Sequence, residues 1–77
     1  MWNHTFHRFT DKAAFIAACD GNSINADDPP YDVAFDVIGA IAGHTGFHVN
    51  AAWYNRDMPA AFSAAQVSPD TPVRRWV

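Results

Sequence analysis

Two stretches of the chain alternate apolar and polar side chains with a period of two, the signature of a strand with one buried face. In the first, Tyr31, Val33, Phe35 and Val37 alternate with Asp32, Ala34 and Asp36. The pattern drifts at Ile38-Gly39, which predicts a bulge or bend, with the strand running on to Ala42. In the second, Phe47, Val49, Ala51 and Trp53 alternate with His48, Asn50, Ala52 and Tyr54. Gly43-His44-Thr45-Gly46 lies between them and reads as a tight turn, so the two strands are expected to form a hairpin. Residues 2–9 carry Trp2, Phe6 and Phe9 in partial alternation and predict a further strand, irregular near Arg8.

Helical spacing replaces alternation from Lys12 to Cys19, an alanine-rich run in which Phe15, Ala18 and Cys19 share one side. Thr10 is the expected cap, Asp11 suits the positive end of the dipole, and Gly21 is expected to end the helix in the left-handed conformation. Residues 22–30, which end in Pro29-Pro30, predict a mobile loop. Asn55-Arg56-Asp57 closes the hairpin, and Pro59 opens a short helix through Ala65. Ser68 to Pro72 is turn-rich, and Val73 to Val77 reads as a final strand or a stiff tail anchored by Trp76. The order is β-α-β-β-(α)-β, an α+β class with the ferredoxin-like split βαβ arrangement in a small two-layer domain. The second helix is expected to be short or absent, and without it the fold reduces to a βαββ sheet with an irregular tail.

The 77 residues suffice for one domain, spanning 1–77. A domain of this size buries only about 60% of the surface its unfolded chain exposes, so its stability margin is thin. Cys19 is the single cysteine, which removes an internal disulfide as a remedy. The apolar fraction of 49% and aromatic fraction of 14% argue for a real core instead. The formal charge is −3 and every acidic residue is Asp, a balance that argues against nucleic acid as a partner. The first ten residues lack the apolar centre of a signal peptide, and no window has the ~18 apolar residues of a membrane span. Synthesis and folding in a cytosol, with no membrane partner, is the expectation.

The groups that bear chemistry do not assemble in the sequence. His4 and His7 differ by an odd number of positions and face opposite ways on a strand. His44 and His48 have helical spacing where Gly43 and Gly46 oppose a helix, so turn and surface histidines are the simpler reading, and a zinc site the weaker one. Cys19 sits among alanines on a buried face, which fits a small core filler better than a nucleophile. Asp32 and Asp36 share a strand face about 13 Å apart, too far for joint acid–base work and expected to be solvated. Asp27-Asp28 lacks the spaced oxygens of a calcium loop. Gly43-x-x-Gly46 is not followed by the Lys-Ser or Lys-Thr of a phosphate loop. No catalytic residue, cofactor-binding residue or metal ligand is therefore assigned.

Asp36-Val37-Ile38-Gly39, then Gly46-Phe47-His48-Val49-Asn50, then Pro59-Ala60 and Val67-Ser68-Pro69-Asp70-Thr71-Pro72-Val73-Arg74 form a recurring set of short motifs. The set resembles small accessory proteins encoded among the tail genes of tailed bacteriophages and proteobacterial prophages, over residues 32–77. In those proteins a longer loop often separates the Ile-Gly segment from the His-Val-Asn strand, whereas here it is compressed around His44. The resemblance implies no active site. It implies a structural or assembly component of the phage tail, located in the virion. Such a part would pack against larger tail or fibre proteins, or against copies of itself as a homo-oligomer. A phage-encoded regulatory protein that binds a host protein is the alternative, and a small metal-binding protein a weaker one. Interface candidates are the terminal aromatics Trp2 and Trp76, the neighbouring Arg74 and Arg75, and His48 and Asn50, which share a strand face. Residues 68–77 could add a strand to a neighbour or pair within their own sheet.

Overall fold

Alternating aromatic and β-branched residues build three long strands, β1 (Trp2–Phe9), β2 (Val33–Ile41) and β3 (His44–Tyr54). The computed structural model describes residues 1–69. Helix α1 (Lys12–Asp20) follows β1, and a short helix α2 (Ala60–Ala65) runs directly into a two-residue strand, β4 (Gln66–Val67). The sheet order is β2-β3-β1-β4, and every neighbouring pair is antiparallel. Helix α1 carries the chain from β1 past one strand position to β2, and the hairpin brings β3 back into the gap. This is the expected split βαβ order in a small two-layer α+β domain.

The register decides which side chains meet the helices. Phe9 lies opposite Phe47, His7 opposite Val49 and Thr5 opposite Ala51, while Val33 and Phe35 of β2 face Trp53 and Ala51. These residues, with Phe15, Ala18 and Cys19 of α1 and Phe62 of α2, form the core. Phe62 is its hub: its ring stands edge-on to Trp53 at 5.1 Å and to Phe9 at 5.4 Å, and stacks on Phe35 at 5.7 Å. Edge-to-face pairs of this kind add to the area that the rings bury. Ile24 is buried too, which fixes the middle of the 22–30 loop against the core, and its amide donates to the carbonyl of Cys19 at 2.9 Å.

One polar line crosses this apolar layer. The Nε1–H of Trp53 donates to Thr5 Oγ1 at 2.9 Å, and Thr5 Oγ1 is 2.6 Å from His7 Nε2. His7 Nδ1 is 2.8 Å from the carbonyl of Phe62, which can only accept, so Nδ1 carries the ring proton. Nε2 then accepts from the Thr5 hydroxyl, and every donor in the line has its acceptor. His7 is neutral in this arrangement, and burial lowers its pKa from the ordinary 6.5, outweighing the opposite pull of the Phe62 carbonyl.

Several local expectations are corrected. The cap of α1 is Asp11, whose Oδ1 accepts from the amide of Ala14 at 2.8 Å, and not Thr10. Gly21 is right-handed, with φ −63°, and the positive φ of 57° falls on Ser23. β1 pairs with β3 without a break from Trp2 to Phe9, so nothing is irregular at Arg8. The β2 strand begins at Val33, after a turn at Tyr31-Asp32, and ends at Ile41. The bulge falls where the pattern drifts, around Gly39. The hairpin turn is Ala42-Gly43, and His44 already pairs with Ile41. Gly46 therefore lies inside a strand. His7 is a core residue, not a surface histidine. The last described strand is Gln66–Val67, earlier than the expected 73–77, which lies outside the described residues.

Gly46 is required where it stands. Its φ is +97°, and a Cβ would come within 2.8 Å of the Phe9 carbonyl oxygen and 2.7 Å of Arg8 Cγ. Gly43 also has positive φ, but a Cβ there meets nothing within 4 Å. Gly46→Ala should lose more than Gly43→Ala, whose loss is limited to backbone strain of about 1–3 kcal/mol; urea unfolding of the two variants checks the order.

The buried relay sets an acid limit. The unfolded chain takes up a proton at His7 more readily than the folded one, so this contribution is complete above pH ~6.5 and is lost as pH falls toward the lowered folded value. His7→Gln should cost about 1–3 kcal/mol at neutral pH by leaving buried groups unmatched. It should also flatten the fall in stability below pH ~6.5. Urea midpoints of both proteins across pH 5–8 measure this.

Candidate functional site

The side chains that alternate with the core form the second face of the sheet, and neither helix packs on it. From β1 it receives Trp2, His4, Phe6 and Arg8, from β3 His48, Asn50, Ala52 and Tyr54, and from β2 Ala34 and Asp36. Trp2 and Tyr54 are cross-strand partners at one end, their rings 5.2 Å apart and tilted by 56°. Both are 40% exposed, a large apolar area for so small a domain. Beside them the terminal ammonium of Met1 donates to Asn55 Oδ1 at 2.8 Å.

The middle of the face is polar but not open. Asn50 lies opposite Asp36, and its Nδ2 donates to Asp36 Oδ2 at 3.4 Å. Asp36 is 7% and Asn50 5% exposed, so the expected solvated carboxylate at Asp36 is corrected to a buried one held by an amide. Asp32 does not share its strand: it precedes β2 and pairs with Arg56 at 3.3 Å. That contact also places the Arg56 guanidinium 5.9 Å from the ring centre of Trp53.

At the other end a groove of about 410 Å³ opens beside the hairpin. Phe6, Ile38, Ile41 and Val67 line it with apolar surface, Ser68 and Pro69 add a wall, and Arg8, His44 and His48 supply its basic groups. His44 and His48 both lie on β3, and their rings stand edge to face at 6.3 Å. His48 Nε2 is 3.1 Å from the Thr45 carbonyl, so Nε2 carries the proton and Nδ1 is the site of any second one.

Of the residues expected at an interface, Trp2, Asn50 and His48 all fall on this face, at one end, the middle and the groove respectively. Arg74, Arg75 and Trp76 lie outside the described residues. Sequence reading missed Tyr54, Arg8 and His44 as members of the face. Tyr54 has the parity of His48 and Asn50, a usable signal. Arg8 needed the register of β1 on β3, and His44 the true turn position. Cys19 is wholly buried, and burial together with the nearby Asp20 pushes its thiol up to about 11, which makes it a poor nucleophile. Among the described residues no three His, Cys or Asp side chains gather as metal ligands. None of the described helices is long and apolar enough to cross a membrane.

No protein-family model, curated protein or solved structure matches the chain.

Proposed function

We propose that this chain is a non-enzymatic assembly component of a phage tail, present in the virion and packed against a larger tail or fibre protein through the helix-free face of its sheet. The observation that supports it is the Trp2–Tyr54 pair. It places two large, half-exposed rings side by side on a face that neither helix covers. Aromatic clusters of this kind are the usual anchors of protein interfaces. The motif resemblance over residues 32–77 supplies the phage setting.

Mass spectrometry of purified particles of the encoding phage should find the chain in a fixed ratio to the tail proteins. Its absence from particles would sink the tail reading and favour the regulatory alternative, a phage protein bound to a host protein. Trp2→Ala with Tyr54→Ala should leave the melting temperature within a few degrees and reduce incorporation into particles by about tenfold or more, the scale of an aromatic hot spot. Unchanged incorporation would place the interface elsewhere.

A further inference from the structure

The groove at the far end of the same face gathers basic side chains on a chain of net negative charge. The chain carries a formal −3, yet Arg8, His44 and His48 meet at one groove. Arg8 and His48 are cross-strand partners, so the sheet itself holds them together. The ion pair seen among the described residues is Arg56–Asp32, on another part of the molecule, and Arg8 takes part in no ion pair with a described residue. The acid that the described strands place on this face, Asp36, is buried and accepts from Asn50 Nδ2. Beneath these basic groups the groove is apolar, through Phe6, Ile38 and Ile41.

Apolar surface edged by a guanidinium and two imidazoles complements a carboxylate carried on an apolar segment. The guanidinium offers paired donors to both oxygens of a carboxylate. Three basic groups are too few to hold a nucleic-acid backbone, whose binding grows with the number of phosphates contacted.

We infer that this groove receives an acidic, apolar segment of the partner protein, an extended stretch in which Asp or Glu alternates with aliphatic residues. The inference rests on the reading that this face binds a protein, and it names the chemistry of what is bound. The carboxylate meets Arg8, and the aliphatic side chains enter between Phe6, Ile38 and Ile41.

The test uses the full chain, labelled with ¹⁵N, and the capped peptide acetyl-Leu-Glu-Leu-Glu-Leu-amide. Titration should shift the amides of Phe6, Arg8, Ile38, Ile41 and His48. Replacing both glutamates of the peptide by glutamine should weaken binding about tenfold, the scale of one charge-assisted hydrogen bond. Arg8→Gln, checked by its melting curve, should weaken the glutamate peptide similarly and leave the glutamine peptide unchanged. Absent shifts, or equal binding of the two peptides by the unaltered protein, would overturn the inference whether or not the variant folds. Equal shifts with inorganic phosphate alone would also overturn it, in favour of a general anion site. A chain found in particles but indifferent to the peptide refutes the groove assignment alone. A chain that binds the peptide but is missing from particles refutes the tail reading alone.

Discussion

The hydrogen-bonded line from Trp53 through Thr5 and His7 to the carbonyl of Phe62 is the constraint on which the other features rest. It joins β3, β1 and α2 in one stroke. In a domain with so thin a margin, apolar contacts alone would tolerate several packings. A buried polar group left without its partner costs about 1–3 kcal/mol, so a packing that breaks this line is penalised more than once. With Thr5 and His7 held inward, the pleat leaves no choice for their neighbours: Phe6 and Arg8 must point to the other face. The core therefore determines the outer surface as well as itself.

Much of the architecture was legible because alternation is a local signal. Val33, Phe35 and Val37, and Phe47 through Trp53, disclose their strands and their buried sides without tertiary information. The segments that misled are those where a single residue type had two uses. Gly46 looked like a turn residue, but its positive φ serves a close approach to β1. Thr10 and Asp11 are both competent caps, and only the geometry of the first turn selects Asp11. His7 looked polar enough for the surface because its partners are 2 and 55 residues away in sequence. The short β4 escaped notice because two residues cannot display a period.

The candidate face was half legible for the same reason. His48 and Asn50 share parity, and Trp2 stood out as a terminal aromatic. Placing them together required the register of β1 on β3, which no local pattern encodes. Once that register is known, the face divides into an aromatic end, a buried amide–carboxylate centre and a basic groove. A surface that offers an aromatic end and a basic groove is more selective than an apolar patch of equal size.

The central pair of strands joins segments far apart in sequence: Trp53 and Thr5, which meet at its heart, are separated by 48 residues. The β2–β3 hairpin, by contrast, closes through two residues. Loop closure makes distant pairings late and near ones early. On a ribosome, β1 emerges before β3, and their pairing waits until β3 has followed it out. For that interval an aromatic-rich strand waits with α1 and β2 but without its sheet partner, and the time the ribosome takes to deliver β3 limits how soon the domain can close.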